Sequence, residues 1–220
     1  MPAKKGTGLL MVWCDVPSDR EDEFNRWYNE EHIAEILAVP GVLNAARYEA
    51  VKGGPKHLAC YELESPAAVL GDSFTKRTKS KWSETMGPTL IGQNFFNPLY
   101  EMIFPDSVSS DMAGSGMAPA LQVGRMNIPV ERTNEWNQWY NSTFVPNFEK
   151  VTGVIRGRRF KTVRGEDPLY SVVYEFEDEN VSQTAEWAAQ LDIDPKNADM
   201  RALITHGPGS PSIFKKTFEL

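Results

Sequence analysis

Trp27-Tyr28-Asn29-Glu30-Glu31-His32 recurs in the second half of the chain as Trp139-Tyr140-Asn141-Ser142-Thr143-Phe144, and this recurrence decides the fold. Towards the N-terminus of each run, Leu9, Pro17, Arg20, Glu23 and Asn25 meet Leu121, Pro129, Arg132, Glu135 and Asn137 without a gap. Towards the C-terminus, Val39, Gly41, Val42 and Arg47 meet Val151, Gly153, Val154 and Arg159. One inserted residue then brings Tyr61-Glu62-Leu63-Glu64 over Tyr174-Glu175-Phe176-Glu177. So many identities in one register make the chain two copies of one supersecondary unit. The expected organisation is a first repeat over 1–104, a linker over 105–119 and a second repeat over 120–220. The linker is rich in Ser, Gly, Ala and Asp, with Met112 and Met117 as its main apolar residues. That composition predicts a flexible tether too polar to pack.

Each copy carries the same order of elements. Residues 9–15 form a β-branched and aromatic run of strand length. Ser18-Asp19-Arg20-Glu21 then reads as a capping box, with Ser18 as N-cap and Glu21 reaching back. Phe24, Trp27, Tyr28 and Glu31 continue at helical spacing until Pro40-Gly41 stops the helix. Residues 42–51 and 58–63 read as strands joined by the Gly53-Gly54-Pro55 turn. Ser65-Pro66 opens a second helix, and 95–104 closes the unit as a strand. The order is β-α-β-β-α-β, a ferredoxin-like α+β unit. Its antiparallel sheet has helices on one face only, so the other face needs a partner. The second copy supplies one, sheet to sheet.

Composition excludes several classes of function. Net charge is −7 with a pI near 5.1, and the cations are scattered rather than striped, which does not suit nucleic-acid binding. No apolar run reaches the length of a membrane helix. The two cysteines form neither a metal spacing nor a disulfide framework, so a reduced, cytoplasmic protein is expected. There is no HExxH, no CxxC, no P-loop, no dinucleotide fingerprint and no nucleophile elbow. Neither a metal nor another cofactor is therefore expected.

A helix carrying Trp27-Tyr28-Asn29-Glu30-Glu31-His32, followed by Val39-Pro40-Gly41-Val42 before a strand, resembles the EthD-like branch of the dimeric α/β-barrel superfamily. The resemblance covers both repeats, although its sharpest motif lies in one helix. Many relatives place Pro two residues after the His. This chain has Ala34 there, while the second copy keeps Pro146 but has Phe144 in place of the His. The resemblance implies an intrachain dimeric α/β-barrel. It also implies a small-molecule function drawn from isomerases, dehydratases, decarboxylases, cofactor-free oxygenases and haem binders.

The repeat also sorts candidate site residues. Trp27, Tyr28, Asn29 and Arg47 have duplicates and so serve the shared fold first. Glu31 and His32 stand opposite Thr143 and Phe144, and are present once. An imidazole can both take and give a proton near neutral pH, so His32 is the natural general acid–base. Near a helix C-terminus its protonated form would be favoured by the dipole. Glu35, three residues on, is in reach to orient the ring. The expected catalytic set is His32, Glu31 and Tyr28, with Arg47 as the partner of Glu31. Trp13, Asp15, Trp27, Arg47, Trp82 and Phe96 are the expected substrate-binding residues. Trp13 and Asp15 share one strand face, and their counterparts are Arg125 and Asn127. His57, beside the hairpin turn, is expected to be exposed.

The expected function is a lyase or isomerase without cofactor, acting on a small aromatic or polyketide-like molecule. The alternatives are a non-catalytic small-molecule or haem-binding accessory protein, or a cofactor-free monooxygenase. The second repeat is expected to be a degenerate copy without a site. The expected partner is the small substrate, and assembly of the whole chain into a homodimer is compatible with the sequence.

Overall fold

In the computed structural model, residues 2–165 and 168–220 are described. The first half contributes β1 (Gly8–Asp15), β2 (Val42–Lys52), β3 (His57–Leu63), β4 (Gln93–Phe96) and β5 (Leu99–Phe104). The second contributes β6 (Ala120–Asn127), β7 (Val154–Arg164), β8 (Tyr170–Phe176), β9 (Thr205–His206) and β10 (Ser212–Glu219). All belong to one sheet, in the order β10-β2-β3-β1-β5-β7-β8-β6-β9, with β4 alongside β1. Because β10 also pairs with β6, the sheet closes on itself as a barrel. The two halves therefore do more than lie face to face: β5 bonds to β7 and β10 bonds to β2. Closure satisfies the backbone donors and acceptors that an open sheet leaves unpaired at its edges.

Strand alternation divides the core. On β1, Leu9, Met11 and Trp13 point into the barrel, while Leu10 and Cys14 pack beneath the first-half helices. Both faces are buried, which is why β1 is apolar from Leu9 to Cys14. A separate cluster around Trp136, Tyr140 and Phe148 lies beneath the second-half helices. Between residues 93 and 104 the expected single strand is broken at Asn97-Pro98 into β4 and β5, because proline cannot donate to the ladder. Phe96 and Tyr100 still face the barrel interior together.

The barrel interior also holds charge. Glu62 and Glu175, which follow the matching tyrosines Tyr61 and Tyr174 in the sequence, face each other with Lys5 and Arg158 between them. All are at most 2% exposed. Burial alone would raise the Glu62 carboxyl, but Arg158 and Lys5 overcome it and hold its pKa below the usual range.

Each half carries a long helix interrupted at the same place. Glu21–Trp27 passes through a π turn, Tyr28–His32, into Ile33–Leu37. In the second half, Thr133–Trp139 passes through Tyr140–Phe144 into Val145–Phe148. Gly41 and Gly153 follow these helices with φ of 86°, a conformation that favours glycine.

Three local expectations are corrected. The capping box at Ser18 is absent: Arg20 is the N-cap, without a side-chain bond, and Glu21 turns instead to Lys56 and His57. The second helix expected after Ser65-Pro66 is a 3-10 turn, Pro66–Val69, followed by the short helices Asp72–Thr75, Ser83–Met86 and Pro88–Ile91. Segment 105–119 is not too polar to pack. It contains the helix Ser110–Gly114, and Met112, Met117 and Ala118 are buried, with Tyr48 donating to the Ala118 carbonyl at 2.9 Å. Its few apolar residues sit where the barrel end can cover them.

Candidate functional site

The repeated Trp-Tyr-Asn run builds a clasp in each half. Arg47 donates to Asn29 Oδ1 at 2.9 Å and to Asn25 Oδ1 at 2.6 Å, with its guanidinium 4.6 Å above the Tyr28 ring. Arg159 does the same with Asn141, Asn137 and Tyr140. The clasp ties strand to helix, and it displaces the expected Arg47–Glu31 pair. Arg47 lies outside the cavity described below. Asn29→Ala leaves the buried Arg47 Nη1 with only its longer bond to the Asn25 carbonyl, at 3.4 Å, and should cost about 1–3 kcal/mol in urea unfolding. Asn141→Ala should cost a similar amount, since both clasps serve the fold.

Between the first-half helices and the sheet lies a cavity of about 480 Å³. Trp27, Tyr28, His32 and Glu35 form one wall, Leu10, Val12 and Tyr61 the sheet side, and Phe74, Arg77, Lys79 and Leu90 the broken 71–92 segment. His32 lies nearly flat on Trp27, with ring centroids 4.3 Å apart, and meets the Tyr28 ring edge-on. Its Nδ1 is 3.2 Å from Glu35 Oε2, which also accepts from Ser83 at 3.0 Å. No described residue makes a hydrogen bond to Nε2.

Burial lowers the His32 pKa to about 3, and the positive charges of Arg77 and Lys79 add to the fall while Glu31 opposes it. The expectation of a dipole-favoured cation is thus corrected: the ring is neutral at physiological pH, and the helix runs on past it to Leu37. With Glu35 accepting the Nδ1 proton, Nε2 holds a lone pair. Burial also raises the Tyr28 phenol above its ordinary range, so it stays protonated.

This shift has a consequence for stability. The unfolded chain takes up a proton at His32 below about pH 6.5, whereas the folded chain resists until about 3. Stability is therefore lost as pH falls through that window, by up to about 1.4 kcal/mol per pH unit from this group. Urea unfolding at stepped pH should show a shallower acid decline in His32→Phe than in the wild type.

Glu31 accepts from Ser80 and, at 3.4 Å, from Ser83, and does not line the cavity. Glu35, three residues after His32, meets the imidazole as expected, whereas Glu31, the histidine's immediate neighbour in sequence, points to the serines. Trp82 is also outside: its indole donates to Glu23 at 3.3 Å and lies beneath Arg26. Trp13 and Phe96 stack on each other, 4.6 Å apart, on the barrel side of the sheet. There Arg125 covers Phe96 at 4.4 Å and Trp13 at 5.4 Å, so Trp13 and the residue aligned with it in the second half meet. Asp15 accepts from the Lys56 backbone and from Asn94, at the barrel mouth. His57 is buried rather than exposed, between Phe24 and Glu21. Of the expected site residues, the structure brings together Trp27, Tyr28 and His32. Arg77, Lys79 and Ser83 were missed, although the basic run Lys76-Arg77-Thr78-Lys79 was a visible signal.

Among the described residues, no group of three or more His, Cys, Asp or Glu is placed to hold a metal ion. No helix there is long and apolar enough to cross a membrane.

A closed antiparallel barrel with helices outside each half is the dimeric α/β-barrel architecture, and solved structures of that class overlay on the chain from end to end. An anthrone oxidase-like protein is similar with a TM-score of 0.65 at 12% identity, over 100% of this chain and 95% of that one. A haem-binding protein from Thermus thermophilus is similar with a TM-score of 0.59 at 12% identity, over 99% and 95%. A chlorite dismutase from Candidatus Nitrospira defluvii, in complex with imidazole, follows at 0.57 and 11%, over 97% and 91%. At such identities the likeness establishes the fold alone. No family model and no curated protein matches the sequence.

Proposed function

We propose that the chain is a tandem duplication of one ferredoxin-like unit, of the EthD-like kind, and that its first half is a small-molecule enzyme. His32 is the general base, and the substrate is a small aromatic or polyketide-like molecule with an acidic phenol or an acidic carbon beside a carbonyl. The observation that carries this reading is the neutral imidazole, held by Glu35 through Nδ1, on the wall of a cavity with aromatic and charged sides. Burial leaves the imidazole unprotonated at the working pH, and Glu35 at Nδ1 would restore basicity as the imidazolium forms. Nε2 would take the substrate proton. Arg77 and Lys79 would stabilise the resulting anion, and Tyr28 would donate to its oxygen.

Such an anion can eliminate, isomerise or lose carbon dioxide, or it can react with dioxygen. Oxygenation without a cofactor is the outcome we favour, supported by the full-length likeness to an anthrone oxidase-like protein. Anthrone is a suitable probe: with dioxygen it gives anthraquinone and water, one oxygen atom entering each product. Oxygen consumption matched by quinone absorbance supports oxygenation. A change of substrate without oxygen uptake returns the assignment to a lyase or isomerase.

A second reading has its own support. An imidazole whose Nδ1 is held by a carboxylate and whose Nε2 has no described protein partner would also be able to hold haem iron. Arg77 and Lys79 would then face the propionates. Bound haem would supply redox chemistry, and the chain would position it through His32 and Glu35. A Soret band on titration with haemin, abolished in His32→Phe, supports this reading, and its absence rejects it.

A further inference from the structure

The second half contains a cavity of its own, of about 500 Å³, between its helices and the sheet. It occupies the place in the second copy that the His32 cavity occupies in the first. Tyr140 stands for Tyr28, Phe144 for His32, Phe148 for Ile36 and Tyr174 for Tyr61. The base has gone but the space has not closed. Gly124 helps keep it open: it replaces Val12 on the cavity floor, and a Cβ there would come within 3.0 Å of Val172 and 3.1 Å of Met126. The cleft leaves aromatic surface in reach of water that a bound ligand would cover.

The walls indicate what the space would hold. Tyr140, Phe144, Phe148, Tyr174 and Trp187 make it aromatic, while Lys52 and Arg201 are its charged lining residues. Among the described residues no carboxylate lines it, in contrast to the first cavity, where Glu35 and Glu84 balance Arg77 and Lys79. We infer that the second cavity is a non-catalytic binding site for a small aromatic carboxylate, its ring among the aromatic walls and its anion at Arg201 and Lys52. Phe144 cannot take the proton that His32 would take in the first half, and the imidazole that lines this cavity, His206, comes from β9 and not from the helix. This site is independent of the chemistry assigned to His32.

The test uses the full chain labelled with 5-fluorotryptophan and 2-naphthoate as the probe, followed by fluorine NMR. Trp187 reports the second cavity and Trp27 the first, their signals assigned by single Trp→Phe variants. Saturable movement of the Trp187 signal by naphthoate is the expected result. Ala188→Phe, at an exposed position on the cavity wall, should abolish that movement. Arg201→Gln should weaken naphthoate by about five- to tenfold, as loss of a charge-assisted contact does, and leave neutral 2-naphthalenemethanol unaffected. A Trp187 signal that stays fixed at millimolar naphthoate overturns the inference. So does movement that persists unchanged in the Arg201→Gln chain, or that is equal for the neutral alcohol.

Discussion

Replacing Arg158 by leucine is expected to lower the unfolding free energy by about 3–5 kcal/mol, the largest loss from any single change considered for this chain. Arg158 bonds to both oxygens of Glu62 and lies 2.9 Å from Glu175, with every partner out of solvent. Removing it leaves two buried carboxylates facing each other, with Lys5 between them and Arg156 beside Glu175 as the remaining counter-charges. Each anion was desolvated on folding, and much of the attraction that offset this cost is lost. For a chain of this size the melting temperature should fall by on the order of 10 °C. Adding Glu62→Leu to Arg158→Leu should recover much of the loss, because the orphaned charge goes with its partner. A melting curve for Arg158→Leu within a degree or two of wild type would show that the network carries little of the stability.

His32→Phe is expected to cut turnover of any substrate deprotonated in the first cavity by about a hundredfold or more. Phenylalanine is the informative substitution because the second half already shows how the fold accepts it. Phe144 packs on Trp139 with centroids 4.7 Å apart, much as His32 packs on Trp27. Folding should therefore survive, and the loss should fall on kcat rather than on binding of an unreactive analogue. Glu35→Gln should give a smaller loss, since an amide still holds Nδ1 but no longer favours the imidazolium formed in the transition state. Full activity in His32→Phe would reject the histidine as base.

Much of the architecture was legible because it depends on periodicity. The alternation on β1, the paired runs that became β2 and β3, and the repeated Trp-Tyr-Asn register each follow from spacing along one segment. What was lost depended on geometry that spacing does not encode. Glu35 was legible beside the imidazole from its i,i+3 spacing, but Glu31 was assigned to Arg47 and the site, whereas it turns to Ser80 and Ser83 of the 71–92 segment. Ser18 looked like a cap until Glu21 found Lys56 and His57 on the neighbouring hairpin. The 71–92 segment has no sustained period, so its cations could not be placed in the cavity. Trp13 and Phe96 were expected beside a ligand, but strand alternation put them on the opposite side of the sheet from His32.

The barrel interior bears on how such a chain can evolve. When two identical subunits close a barrel around a rotation axis, each substitution near that axis is made twice and must be compatible with its own image. Trp would confront Trp, and an arginine introduced opposite a glutamate pair would arrive with a second, unmatched arginine. A single continuous chain is free of that constraint. Here Trp13 faces Arg125, and Arg158 has Ala46 as its counterpart, so one guanidinium serves two carboxylates. Mutations can be accepted singly on either side of the axis, and the halves can specialise while the wall between them stays closed.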